Sequence, residues 1–593
     1  MKSKLIKIRQ VFILLFGCAK TEAVLLILLS VFRGIYTSLG LILWKYFLDI
    51  ITEAILTKEF RNVIIMTVCY FFYTAMFTVI TRASEHIKWK YVSKLNIRLS
   101  EKIINKSYDI AYEEFDKSDT YDTLRKVNNE SISSISGLLQ QIMALVEAVV
   151  SLVSVIVILL PFSVAFVIIA IISTIPMIIV DVKMAKKLYE LNNELTEPRR
   201  YADKFKGMLT DYLCIREIKV YKAFHYIKDK VVTLQEESFQ RENKAKVFQL
   251  KVDILLNIVF LFVSFVLKLI TICVSITRTY TIGTISMYIN ALDMLASTLQ
   301  AIVYNIAELN ESRLYINLLL GFLEKENATP GEHLLTGSFN KLEFEDVSFQ
   351  YYGQGQYTLE HVSFSIKKNS SYLIYGINGA GKSTILKLLL GLYKPTEGRI
   401  LVDGIDLRDI EQNSYYSQLG VVFQEFNKYP LKVRENIALN DVADEKELVR
   451  VTEEINADTF IRELDSGYEA MLSNELKDGV QLSLGQWQKL AIARMLYQKA
   501  EVYILDEPSA SLDQMTTERL NHLLFDKSNR HTLIMVSHNE EIARQVDEII
   551  VLGDKHVLEV GNYNELMAKK GYFYSNIAGE DSKKDEDIYE QYS

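Results

Sequence analysis

The sequence predicts a multidomain chain: a polytopic α-helical membrane domain of six spans, followed by an α/β nucleotide-binding domain built on a phosphate loop. Three observations predict it. Hydrophobic residues make up 49% of the 593, concentrated in the first half, and mean hydropathy is +0.11 despite 24% charged residues. Residues 148–180 contain no Asp, Glu, Lys or Arg. In the second half, "SYLIYGINGAGKSTILKLLLGL" reads as a strand, then G-x-x-x-x-G-K-S from Gly376 to Ser383, then a helix. That is the setting a phosphate-binding loop requires. The expected division is 1–320 membrane domain, 321–340 linker, 341–578 nucleotide-binding domain and 579–593 acidic tail, which is expected to be disordered.

The spans come first. As one helix, 148–180 would measure about 50 Å against a hydrocarbon core of ~30 Å, so it must be two spans, turning at Pro161. Four more are read at 23–48, 63–80, 254–276 and 282–307. Lys2, Lys4, Lys7 and Arg9 place the N-terminus in the cytoplasm, and the Lys-rich stretches 88–126 and 183–251 are cytoplasmic as well. Six spans return the chain to the cytoplasm for its second half, so both termini are cytoplasmic. The two long stretches read as extended helices joined by short transverse segments near "YEEFDKSDTYD" and "REIKVYKAF". Arg33, Glu147, Lys268 and Asp293 fall within spans, where a charge facing lipid is costly. Interior ion pairs and substrate contacts are both open, and Lys268 and Asp293 lie on consecutive spans.

The remaining composition excludes more than it identifies. With 66 basic and 74 acidic residues the net charge is −8, which argues against nucleic acid as a partner. Cys18, Cys69, Cys214 and Cys273 show no CxxC spacing and read as small apolar residues. No cleavage site follows the first apolar run, so no signal peptide is expected.

The second half reads as ATP chemistry. "KLEFEDVSF" alternates as a strand does. In the loop, Gly376, Gly379 and Gly381, with Asn378 and Ala380 between them, let backbone N–H groups cradle phosphate oxygens. Lys382 reaches the β- and γ-phosphates, Ser383 offers its hydroxyl to Mg²⁺, and Thr384 follows. "EVYILDEPSASLD" places Asp506 and Glu507 at the end of a buried strand, one to hold Mg²⁺ and the other to orient or deprotonate the attacking water. "HTLIMVSHNEE" ends a second strand at His538, a donor for charge developing on the γ-phosphate. "VQLSLGQWQKLAIAR" sets Ser483 and Gly485 at a helix start, a second anion site.

Together these motifs resemble the ATP-binding cassette family over nearly the whole chain. "GINGAGKS" resembles its Walker A and "YILDE" its Walker B. "VVFQEF" resembles the Q-loop, with Gln424 as a Mg²⁺ ligand, "SASLD" the D-loop with Asp513, and "VSH" the switch histidine. "VSFQYYG" resembles the adenine-stacking loop, which makes Tyr351 the stacking ring, and "LSLGQ" resembles the LSGGQ signature, with Ser483, Gly485 and Gln486 kept. Leu484 stands where glycine is usual, losing easy access to positive φ, so a working but slower site is expected, with a dead site the alternative.

The resemblance implies that two cassettes stack head to tail, each signature closing on the nucleotide held by the other. One cassette per chain then implies a half-transporter: a homodimer is the simplest closure, and a heterodimer with a related half remains open. Fused spans with long extensions resemble the exporter branch, in the plasma membrane of a bacterium. There the transverse segments would act as coupling helices received near Gln424. The cassette stretches are similar to exporters of lantibiotics and other modified peptides that lack a peptidase domain, and none fits in the twenty or so residues ahead of the first span. Export of a modified peptide is the expected function. The alternatives are lipid or multidrug export, with an amphipathic small molecule as cargo, and a membrane-tethered ATPase sensor that transports nothing.

Overall fold

The computed structural model describes residues 16–577, apart from 18, 118–119, 121–122, 125–126, 128–131, 329–330, 336, 338, 441, 474–475, 477, 510 and 527–530. The N-terminal basic residues, Cys18 and the acidic tail therefore lie outside the described residues. The chain forms two compact units. One comprises 1–109 and 119–325; the other comprises Ile110–Ser118 and Glu326–Ser593.

Among the described residues, the first unit contains six long helices: α1 (Lys20–Thr57), α2 (Arg61–Asp109), α3 (Ile132–Leu159), α4 (Val164–Thr210), α6 (Phe224–Thr277) and α7 (Ile282–Leu323). The short α5 (Tyr212–Val220) lies between α4 and α6. The expected turn falls between Leu159 and Val164, where Pro161 cannot continue a helix. Four of the described helices, α1, α2, the 137–159 part of α3, and α6, are long and apolar enough to cross a membrane. That count is below the six expected. In α7 the reason is visible, since residues 282–307 interleave Thr284, Ser286, Asn290, Asp293, Ser297 and Asn305 among the apolar positions.

Several polar groups in this unit pair with one another. Tyr36 on α1 and Tyr73 on α2 stack at 4.4 Å, and each hydroxyl donates to the other's carbonyl oxygen, at 2.9 and 2.6 Å. Asp49 accepts from the Gly283 N–H at 2.9 Å, capping the start of α7. Only glycine fits there, because a Cβ would stand 2.2 Å from the Lys45 carbonyl oxygen. Both intramembrane charge pairs form: Arg33 Nη2 lies 3.2 Å from Glu147 Oε1, and Lys268 Nζ 2.5 Å from Asp293 Oδ1.

The second unit holds a four-stranded antiparallel sheet and a six-stranded, mostly parallel one. Strands β1 (Lys341–Phe349), β2 (Leu359–Lys367), β4 (Glu397–Val402) and β5 (Ile405–Asp406) form the first, in the order β2-β1-β4-β5. The second has the order β10-β9-β3-β8-β7-β6, from β3 (Ser371–Gly376), β6 (Leu419–Val422), β7 (Val502–Asp506), β8 (Thr532–Val536), β9 (Glu548–Gly553) and β10 (His556–Gly561). All five residues of β7 and of β8 are buried, as expected of parallel strands covered on both faces. Alternate residues feed two separate cores. Leu373, Tyr503, Leu505, Leu533 and Met535 enter one, while Ile374, Val502, Ile504, Ile534 and Val536 enter the other. Three helices position the site: α8 (Lys382–Leu389), α9 (Leu484–Tyr497) and α10 (Gln514–Phe525).

The Arg33–Glu147 pair predicts strong coupling. Each side chain is 25% exposed, and the buried Arg33 Nε has no hydrogen-bond partner, so Glu147 is the counter-charge the guanidinium depends on. Removing one partner strands the other at a cost of about 3 kcal/mol. Glu147→Leu should therefore lower the thermal midpoint in lipid nanodiscs, and adding Arg33→Met should restore most of it. Additive losses in the two single variants would show that the pair carries no coupling energy.

Candidate functional site

Strand register gathers the site. Ile374 on β3 pairs with Val536 on β8, and Val536 pairs with Asp506 on β7. The ends of three neighbouring parallel strands are thereby level, and each delivers chemistry within two residues. Strand β3 runs into the 376–383 loop, β7 ends on Asp506 and Glu507, and β8 continues through Ser537 to His538.

The loop needs its glycines for two different reasons. Gly381, the residue capping α8, has φ +98°, and a Cβ there would stand 2.6 Å from Leu359 Cδ2. At Gly376 the obstacle is steric alone, with the Leu552 carbonyl oxygen 2.6 Å from a built Cβ. The loop then turns α8 so that its first N–H groups face the same space as Lys382. Lys382 Nζ lies 2.5 Å from the Gly376 carbonyl oxygen, 3.1 Å from that of Ile377 and 3.1 Å from His538 Nε2. Burial pulls its ammonium pKa down, opposed by the carboxylates of Glu507 and Asp506. Asn378 and Gly379 are exposed at the tip of the loop, and Ala380 is buried with its N–H donating to the Ile377 carbonyl oxygen.

The acidic side of the site is equally compact. Ser383 Oγ lies 3.5 Å from Asp506 Oδ2. Burial, and then the charge of Glu507, push the Asp506 carboxyl above the usual range. A hydroxyl beside a carboxylate that gains from a positive neighbour fits Mg²⁺, which takes few protein oxygens and keeps several waters. Gln424 Nε2 donates to Glu507 Oε2 at 3.1 Å, and Glu507 Oε1 lies 3.6 Å from His538 Nε2. Glu507 itself has φ +49°, held by its N–H donating to the Val536 carbonyl oxygen at 3.0 Å. A non-glycine residue in that region costs about 1–3 kcal/mol and persists only where its surroundings hold it. Tyr351 is placed by its hydroxyl, 3.1 Å from Thr384 Oγ1, and by the Phe349 ring, edge-on at 4.9 Å.

The second anion site is a helix start of ordinary geometry. Ser483 caps α9 in a capping box: its hydroxyl oxygen accepts from the Gln486 N–H at 3.3 Å, and Gln486 Oε1 accepts from the Ser483 N–H at 2.8 Å. The hydroxyl keeps its own hydrogen to donate. Leu484 is the first helical residue and has no positive φ, so the expected backbone penalty for replacing glycine does not arise. What Leu484 adds is bulk, since its side chain is 53% exposed at the helix start. The neighbouring Gly485 is required by packing, because a Cβ would stand 2.7 Å from the Ser511 carbonyl oxygen.

Sequence reasoning missed the side chains that tie these parts together. Gln488 on α9 is 4% exposed; its amide donates to the Pro508 carbonyl oxygen at 2.5 Å and accepts from the Ser511 N–H at 3.1 Å. Lys489 reaches Asp513 at 2.9 Å, and this hydrogen bond, with that from the Thr516 N–H, holds the Asp513 carboxyl well below the usual range. Asp513 also caps α10. A glutamine within the apolar run 487–496 was the available signal for the first of these. Beside Gln424 lies an apolar groove lined by Leu390, Val421, Phe423, Phe426, Tyr429 and Arg494.

Comparison with known proteins accounts for both units. Residues 23–299 match the ABC transporter transmembrane region, and residues 359–510 match the ABC transporter family. The subtilin transport ATP-binding protein SpaT of Bacillus subtilis is 26% identical over 563 residues, covering 94% of this chain and 91% of its own. The nisin transport ATP-binding protein NisT of Lactococcus lactis subsp. lactis is 24% identical over 571 residues, covering 94% of each. A solved bacterial Atm1-family ABC exporter with ATP bound shares the fold, with a TM-score of 0.81 at 21% identity over 95% of this chain and 98% of that one. The chain belongs to the ATP-binding cassette transporters, as a multi-pass half-transporter of the exporter kind whose membrane region is fused to an ATP-hydrolysing cassette.

Proposed function

We propose that two copies of this chain form an exporter that moves a modified, lantibiotic-like peptide out of a bacterial cell. The observation that carries the reading is the convergence of Lys382, Ser383, Asp506, Glu507 and His538 on three level strand ends, in a chain whose full-length relatives are named for subtilin and nisin transport. In this reading α4 and α7 span the membrane with the other four long helices, and both termini are cytoplasmic. The domain limits are those expected from the sequence, 1–320, 341–578 and a linker between.

The residues take distinct roles. The 376–383 loop, with Asn378, Gly379, Ala380 and Gly381, and then Thr384, surrounds the phosphates, while Lys382 supplies positive charge. Ser383, Asp506 and Gln424 hold Mg²⁺, whose contribution when bound is to neutralise charge developing on the phosphate oxygens. Glu507 accepts a proton from water, positioned by Gln424 and by its own fixed backbone. His538 donates to the γ-phosphate. Ser483, Gly485 and Gln486 serve the nucleotide of the other copy, with Asp513 beside them.

Inside-out membrane vesicles test the cargo. With ATP they should accumulate a fluorescent lantibiotic precursor peptide, and vesicles carrying Glu507→Gln should not, with ATP hydrolysis falling at least about 100-fold. Uptake of a cationic dye or a labelled phospholipid, without the peptide, would replace peptide export by multidrug or lipid export. Hydrolysis with no uptake of any of the three would favour the sensor.

The geometry of α9 sets a second expectation. If Leu484 slows turnover through bulk rather than backbone, Leu484→Ala and Leu484→Gly should raise ATPase activity equally, within about twofold. A gain with glycine alone would restore the backbone explanation.

A further inference from the structure

A segment that lies between two membrane-unit helices in sequence belongs, by its contacts, to the cassette. Ile110–Ser118 is part of the second unit, and its one turn of 3₁₀ helix, Tyr112–Asp116, meets the cassette chiefly at Tyr393. Tyr393 follows α8 and is 5% exposed. Its hydroxyl donates to Asp116 Oδ2 at 2.6 Å, and the Tyr112 ring stands edge-on to it at 5.5 Å. Burial and the Asp116 carboxylate raise the Tyr393 phenol pKa, so the hydroxyl remains a donor.

The same ring also meets Tyr351, Phe349 and Lys387. The Tyr351 and Tyr393 rings meet edge-on, with centroids 5.4 Å apart and planes at 83°. Phe349 packs on both, and Lys387 Nζ sits over both faces, 5.3 Å from the Tyr351 centroid and 5.6 Å from that of Tyr393. A close-packed cluster of this kind has few alternative arrangements, so fixing one ring restricts the next.

We infer that Tyr393 is a positioning residue through which stacking of the nucleotide base on Tyr351 orders residues 110–117. The inference rests on reading Tyr351 as the ring that stacks on adenine. It adds that the base, and not the triphosphate alone, reports to this segment, through one ring contact and one charge-assisted hydrogen bond. The phosphate loop grips the nucleotide; the Tyr351–Tyr393–Asp116 chain signals that the base is seated.

Hydrogen exchange on the full-length protein in nanodiscs tests it, following peptides that cover residues 108–117. Saturating Mg-ATP should slow exchange there about tenfold, the change expected when a hydrogen bond to a charged acceptor is secured, whereas Mg-tripolyphosphate, which has no base, should not. Tyr393→Phe keeps the ring and removes the donor, so it should lose most of the ATP-induced protection at saturating ATP. Asp116→Asn still offers an acceptor oxygen and should keep it, while Asp116→Leu should lose it. Full ATP-induced protection in Tyr393→Phe, or equal protection by tripolyphosphate, would overturn the inference. If Tyr351→Ala leaves ATP affinity unchanged, the reading of Tyr351 fails instead, a result separable from the Tyr393 outcome.

Discussion

Everything the cassette does depends on the register of three parallel strands. Because side chains alternate along a strand, a one-residue slip of β7 against β8 would turn Asp506 away and break both cores at once. The register Ile374–Val536–Asp506 is held by backbone hydrogen bonds and by the fully buried faces of β7 and β8, far more than the site groups could supply themselves. Chemistry is then placed at the strand ends, where the chain leaves the sheet: a lysine and a hydroxyl after β3, two carboxylates at β7, an imidazole after β8. The strained backbone of Glu507 is anchored to Val536, the same residue that fixes the register.

That dependence explains what the sequence makes legible. The buried strands are short apolar runs, and the motifs follow them directly, so Lys382, Ser383, Asp506, Glu507 and His538 can be read with their neighbours. Local motifs could not show the ties between distant segments. Gln488 and Lys489 look like ordinary helix residues until Pro508, Ser511 and Asp513 are folded against them. Tyr393 lies in "GLYKP", and nothing local announces a partner 277 positions earlier. Leu484 is the reverse case. The pattern suggests a lost glycine and a strained turn, whereas the backbone is helical and only the side chain differs.

In the membrane unit, composition located the six long helices. Among the described residues, α1, α2, α3 and α6 are long and apolar enough to cross a membrane, while α7 carries enough polar residues to fall outside that pattern. Those polar residues have uses that composition cannot express: Ser286 accepts from the Trp44 indole at 3.2 Å, and Asp293 pairs with Lys268. The chain is an ATP-driven exporter, and the charges within its helices stand in pairs, Arg33 with Glu147 and Lys268 with Asp293, which offsets the cost each would carry alone in lipid.

The central claim is that the helix start at Ser483 completes the site of a second copy. The most direct measurement is a cross-link between differently tagged copies in a background lacking all four cysteines. Asn378→Cys in one and Leu484→Cys in the other, both exposed positions, would be joined by a short bis-maleimide. With ATP and Glu507→Gln the account predicts a covalent dimer carrying both tags, and little product without nucleotide. Efficient linkage within a single chain carrying both cysteines, mixed with cysteine-free copies, would show that the helix start serves its own phosphate loop and would contradict the account.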